Sequence, residues 1–216
     1  MKKILFSIFV LIFSAVAASS QTANTSKETA PTEKVPVSYG IVVDNSGSYR
    51  MIFNEIIKSV SQIIEANNPD DEAFLVRFVD TEKISLLQDL TSSKDELQSA
   101  TEEMFIEGGQ TAILDGVYFS AKHLASGDAV PTNNRKVLIL ISDGEDRKSE
   151  SKIGNVLKFL KDEKIQVFTL GLADGKVYRS LLEKLAKETG GKSYIVENRS
   201  GVGTVIKQLT TDIRAR

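Results

Sequence analysis

Residues 40–50 read GIVVDNSGSYR: an apolar run that ends in an aspartate, Asp44, followed by hydroxyls at even spacing, Ser46 and Ser48. The longer stretch VSYGIVVD, 37–44, is almost continuously apolar. That pattern predicts a strand covered on both sheet faces, because a strand with one wet face alternates instead. Its abrupt exit into small polar residues sets the question of what the carboxylate and the two hydroxyls are for.

Outward from this strand, apolar runs and helical patterns alternate. RMIFNEIIKSVSQIIEA places Ile52, Ile56 and Ile63 at helical spacing. AFLVRFVD and KISLLQDL predict two short strands joined by a turn around Thr81 to Lys83, hence an antiparallel pair. SKDELQSATEEMF opens as a helix, with Ser93 and Glu96 spaced as a capping box. A glycine-rich loop, GGQT, runs into the helix AILDGVYFSAKHLA, and RKVLILISDGED is a second strongly apolar strand that ends in an aspartate, Asp143. Helix, strand, helix, strand and helix follow: ESKIGNVLKFLKDE, IQVFTLGL, VYRSLLEKLAKETGG, KSYIVEN and VGTVIKQLTTDIRA. The expected fold class is therefore α/β: a Rossmann-like open, mostly parallel sheet with one antiparallel edge strand, flanked by helices on both faces. In the last helix Val202, Val205, Ile206, Leu209 and Ile213 are expected to cover the sheet edge.

Open sheets of this kind bind ligands at the carboxyl ends of their strands, where strand order reverses. Asp44 and Asp143 both end predicted strands, and the Gly108-Gly109 loop should open on the same rim. Asp44, Ser46 and Ser48 leave the strand at i, i+2 and i+4, a spacing that can wrap one point. With Thr111 and Asp143 they make a set of hard oxygen donors, the kind preferred by Mg²⁺, Mn²⁺ or Ca²⁺. A six-coordinate ion held by five donors would keep a position open. Each piece alone also has a plain structural explanation: a helix cap for DNSGS, a glycine turn for GGQT, an ordinary turn for Ser142-Asp143-Gly144. The charged stretch Glu145 to Lys148 reads as a solvated rim. Asp70-Asp71, after Pro69, reads as a turn that introduces the next strand.

Composition narrows the chemistry. The chain has 216 residues, 41% hydrophobic and 26% charged, which suits one globular domain with a tail. A net charge of -2 offers no basic field for nucleic acid or anionic membrane. The absence of cysteine excludes disulfides, thiolate metal sites and a lipoprotein anchor. His123 is the only histidine and sits in a helical pattern, which leaves a Ser-His-Asp triad and a His-rich zinc site without imidazoles. The N-terminus, MKKILFSIFVLIFSAVAASSQ, has the layout of a secretory signal peptide. Residues 1–18 are expected to be the leader, 19–35 a polar disordered linker and 36–216 the folded domain. Cleavage removes Lys2 and Lys3 and no acid, taking the net charge from -2 to -4; an uncleaved N-terminal anchor is the alternative. The product is expected to be secreted or periplasmic. Sequons at Asn24 and Asn198 matter only if the source glycosylates them.

DNSGS, then the Thr of GGQT, then the Asp of ISDG resembles the metal-ion-dependent adhesion site of the von Willebrand factor type A domain family. The strand and helix order from about Pro36 to Arg216 follows that family too, and RKVLILISDGED and LAKETGGKSY are similar to secreted bacterial members. The resemblance implies that Ser46, Ser48 and Thr111 supply hydroxyl oxygens and that Asp44 and Asp143 coordinate directly or through water. It also implies a metal cofactor, Mg²⁺ or else Mn²⁺ or Ca²⁺, whose open position takes an Asp or Glu carboxylate from a protein partner. Tyr49 departs from the methionine common in that family, at a position that is not a ligand. The expected function is a protein-binding module, not an enzyme, monomeric, with no nucleic acid partner and no membrane span in the mature protein. A Mg-dependent hydrolase and a metal-independent scaffold are the rivals. Haloacid-dehalogenase-like phosphatases need a second aspartate where this chain has Ser46, and no P-loop motif is present. Chelatase-type subunits of the family are cytoplasmic, which the leader argues against.

Overall fold

A computed structural model describes residues 35–126, 131 and 133–215. The expected leader, and the linker apart from Val35, lie outside the described residues, as does Asn24. Six strands form one sheet in the order β3-β2-β1-β4-β5-β6. They are β1 (Val37–Asp44), β2 (Glu72–Phe78), β3 (Ile84–Thr91), β4 (Arg135–Ser142), β5 (Gln166–Gly171) and β6 (Ser193–Ile195). Every pairing is parallel except β2 with β3, the antiparallel edge. The helices are α1 (Phe53–Glu65), α2 (Lys94–Glu102), α3 (Ile113–Ser126), α4 (Ile153–Asp162), α5 (Arg179–Thr189) and α6 (Val202–Arg214).

All eight residues of β1 are buried. The sheet separates two apolar clusters. On one face Ile41, Val43, Ile139 and Phe168 pack with Ile56, Ile63, Ile206, Leu209 and Ile213 of α1 and α6. On the other, Val42, Phe74, Leu138 and Leu140 pack with Val117, Leu160 and Leu185 of α3, α4 and α5. A strand sandwiched this way has little room for charge along its length, and β1 carries its one carboxylate, Asp44, at its carboxyl end. The chain proceeds from β1 to β2 on one side and reaches β4 on the other, so strand order reverses between β1 and β4. The crevice lies at their carboxyl ends, after Asp44 and Ser142.

Two segments differ from the sequence expectation. The first turn after the strand is a 3-10 turn, Gly47–Ile52, before α1 begins at Phe53. α2 stops at Glu102 and does not run through Phe105: Met104 turns into the core while Phe105 faces solvent. Ser93 does cap α2, its Oγ accepting the Glu96 N–H at 3.3 Å.

Asp71 does more than introduce a strand. It is buried, accepts the N–H groups of Val37 (3.0 Å) and Asn68 (2.9 Å), and pairs with Arg214 at 2.7 Å. It thereby ties the start of β1 to the end of α6. Asp71→Ala would leave the Arg214 charge without its carboxylate and the N–H groups of Val37 and Asn68 without this acceptor, and should destabilise the domain by about 3 kcal/mol. Denaturant titration should show a lower midpoint with an unchanged slope.

Candidate functional site

The site is assembled from three strand and loop ends. Asp44 closes β1 and is 1% exposed; its Oδ1 accepts the Ser46 N–H at 3.0 Å and its Oδ2 accepts the Ser142 hydroxyl at 2.8 Å. The chain then turns so that the Ser46 and Ser48 hydroxyls stand 3.1 Å apart, giving the even spacing a common focus. Ser46 is buried and Ser48 exposed, so the pair leads from the interior to the surface.

Asp143 follows β4 directly and is 6% exposed, its Oδ1 accepting the Glu145 N–H at 2.9 Å. Gly144 is required after it: its φ is +85°, and a Cβ there would lie 2.1 Å from the Tyr178 carbonyl oxygen. The glycine loop arrives from the third direction. A Cβ on Gly47 would sit 3.8 Å from the Gly108 Cα, so the two loops touch. Thr111 is buried, and its carbonyl accepts the N–H groups of Arg147 (2.8 Å) and Lys148 (3.0 Å), joining that loop to the one after β4. All five residues singled out in the sequence thus belong to the three loops that meet at the β1–β4 crevice.

Electrostatically the place is unusual. Neither Asp44 nor Asp143 forms an ion pair among the described residues. Burial pushes the Asp44 carboxyl up to about 7; hydrogen bonds from Ser46 and Ser142 oppose the rise, and the Asp143 charge adds to it. Asp143 is raised as well, again chiefly by burial. Two buried carboxylates without a cation are costly unless protonated or neutralised. Hydroxyls and carboxylates are the donors a hard divalent cation prefers, so the residues present fit such an ion. No group of three or more His, Cys, Asp or Glu suited to a metal occurs among the described residues, in keeping with a set in which hydroxyls outnumber carboxylates.

Sequence reading missed the supports. Ser142 is fully buried, and its Oγ donates to Asp44 while accepting the Gly144 N–H at 3.0 Å, holding both loops together. Asp146, expected in a solvated rim, accepts the Ile113 N–H at 2.8 Å and the Ser149 hydroxyl at 2.6 Å, and so caps the N-terminus of α3. Asp115 takes Thr81 Oγ1 at 2.6 Å and the N–H groups of Glu150 (2.9 Å) and Ser151 (2.8 Å). Burial raises its pKa, but the hydrogen bonds outweigh this and the net shift is downward. Tyr49 lies beneath the rim, 1% exposed, its hydroxyl donating to the Leu172 carbonyl at 2.9 Å. His123 stands in the last turn of α3, beside Asp89 at 3.0 Å and edge-on to Phe74. The ten residues from Ile113 to His123 put it about 15 Å along the helix from the rim.

The family model of the von Willebrand factor type A domain matches residues 40–208. Among solved structures the chain resembles an aerotolerance-related membrane protein from Bacteroides fragilis NCTC 9343 carrying multiple mutations to serines. The TM-score is 0.64 at 19% identity, over 81% of this chain and 98% of that one. BatB from Bacteroides thetaiotaomicron gives 0.62 at 16% identity, over 81% and 99%. Proximal thread matrix protein 1 from the mussel byssus, solved with a zinc-occupied MIDAS motif (the metal-ion-dependent adhesion site), gives 0.68 at 19% identity, over 82% and 48%.

The raised Asp44 carboxyl predicts a pH signature for the metal-free protein. Between its unfolded value, about 4, and its folded value, about 7, the folded state binds the extra proton, so stability falls as pH rises across that window. In chelator, Asp44→Asn should flatten this decline, as measured by urea denaturation at several pH values. An equally steep decline in the variant would show that another group causes it.

Proposed function

The chain belongs to the von Willebrand factor type A domain family, and on that premise we propose that it is an exported interaction module whose site holds a divalent ion. Asp44, Ser46, Ser48, Thr111 and Asp143 would hold the ion, Mg²⁺ first, with Mn²⁺ or Ca²⁺ as alternatives. The observation that supports this reading is the pair of buried carboxylates, neither in a direct ion pair among the described residues, set beside the Ser46 and Ser48 hydroxyls. When bound, the ion would supply an electrophilic position for the Asp or Glu carboxylate of a protein partner. Ser142 and the Ser46 N–H orient Asp44, and the Glu145 N–H orients Asp143. The mussel protein's occupied motif supports the same use of the fold.

The protein acts by binding and not by catalysis. Ser46 stands where a phosphatase of the dehalogenase type needs an acid, and the sole imidazole is too far away to activate Ser46 or Ser48. Export rests on the leader, residues 1–18, with 19–35 as a tether and 36–216 as the working domain. Among the described residues no helix is long and apolar enough to cross a membrane.

Calorimetric titration with Mg²⁺ and Mn²⁺ tests the site. One ion should bind the wild type, and Asp44→Ala and Thr111→Ala should weaken it by at least about ten-fold, roughly 1.4 kcal/mol. Unchanged binding in both variants would refute the assignment. Affinity capture from the extracellular or periplasmic milieu, eluted with chelator, should then release the partner.

A further inference from the structure

The rim carries a feature that a carboxylate site alone does not explain. Five large apolar side chains are exposed among the described residues: Val35, Met51, Leu86, Phe105 and Tyr178. Val35 begins the described chain and Leu86 lies on the edge strand β3. The other three each sit on a loop tied to the site. Met51, 73% exposed, follows Ser48 by three residues within the 3-10 turn, and in that geometry residues i and i+3 eclipse. It therefore stands on the same face as the Ser48 hydroxyl. Phe105, 55% exposed, is fastened by its carbonyl, which accepts from the side-chain amide of Asn45, the residue after Asp44, at 2.5 Å. Tyr178, 38% exposed, donates its backbone N–H to the Asp143 carbonyl at 2.7 Å.

Two of the three are also held by cations. The Arg77 guanidinium lies 4.5 Å from the Phe105 ring centre and pairs with Glu107 at 3.5 Å, while the Lys176 ammonium lies 4.7 Å from the Tyr178 ring centre. Such contacts restrain the rings before any partner arrives, and ordered aromatic side chains lose little entropy on binding. Exposed apolar side chains on segments tied to a polar crevice are the composition of an interface centre, where aromatic residues dominate the energy.

We propose that Met51, Phe105 and Tyr178 form an apolar collar around the crevice. The partner it fits is a protein segment whose coordinating Asp or Glu is flanked by large apolar side chains. This rests on the carboxylate-binding reading and adds the identity of the neighbours. Charge complementarity brings the acid to the ion, and the collar then covers hydrocarbon on either side of it. A free small carboxylate or a polar, phosphate-rich chain would satisfy the ion and leave all three side chains in water.

A phage-displayed peptide library with a fixed central Asp or Glu and random flanks, selected on the full chain in Mg²⁺ and eluted with EDTA, tests this directly. The eluted pool should be enriched in Leu, Ile, Phe, Tyr and Trp within three residues of the fixed acid. Enriched peptides synthesised singly should bind the combined variant Met51→Ser, Phe105→Ser, Tyr178→Ser at least about ten-fold more weakly, with Mg²⁺ affinity kept within about two-fold. The three single variants, each with unfolding checked, give the same reading should the combined one fold poorly. Flanks that stay polar, or peptides that bind the variant as well as the wild type, overturn the collar while leaving the carboxylate site standing. A library yielding no EDTA-sensitive binder overturns both.

Discussion

The structure turns on two carboxylates, Asp44 and Asp143, buried at the ends of neighbouring parallel strands and in no direct ion pair among the described residues. Parallel strands covered on both faces leave no place for a charge along their length, so polar chemistry is driven to their carboxyl ends. The reversal of strand order between β1 and β4 then opens a crevice at that point. The cost of burying Asp44 shows in its carboxyl, raised to about 7. A divalent ion is the economical way to relieve it, and this is the physical ground for the proposed function.

Three other acids make the contrast plain. Asp71 is neutralised by Arg214 and takes two N–H groups besides. Asp115 accepts three hydrogen bonds that draw its pKa down despite burial. Asp146 serves as the cap of α3. These three are answered from within the chain and serve architecture: Asp71 closes the domain at the start of β1, and Asp115 and Asp146 lock the loop after β4 onto α3. The loop after β4 and the start of α3, next to Thr111, are thereby fastened by acids other than the two carboxylates of the site. Fold stability and site chemistry are assigned to different acids, which is why Asp71 and Asp44 should respond so differently to substitution.

Much of this was legible from residue order. The alternation of apolar runs with helical patterns gave every strand and helix, and the antiparallel edge followed from a short turn between two short strands. That Asp44 and Asp143 share one rim followed from strand ends alone, since parallel neighbours put their carboxyl ends together, whereas Thr111 was assigned to that rim from the helix its glycine loop enters. What escaped were contacts with no periodic trace. Ser142 reaching Asp44 spans ninety-eight residues and Asp146 reaching Ile113 spans thirty-three; a hydroxyl or carboxylate in a loop reads the same whether it faces water or a distant N–H. The early end of α2 escaped for a similar reason. Burial of Met104 and the bond from Asn45 to Phe105 redirect the chain there, and both are tertiary. The exposed collar depends on that redirection and could not be read beforehand.

The central claim is that the five oxygen donors act together on one ion. An anomalous difference map from crystals of the protein soaked in Mn²⁺ tests it most directly. The account predicts a single strong peak in the β1–β4 crevice, within coordination reach of Ser46, Ser48 and Thr111 and lost in Asp44→Ala crystals. A crevice without anomalous density at saturating Mn²⁺, or a principal peak elsewhere on the molecule, would contradict it.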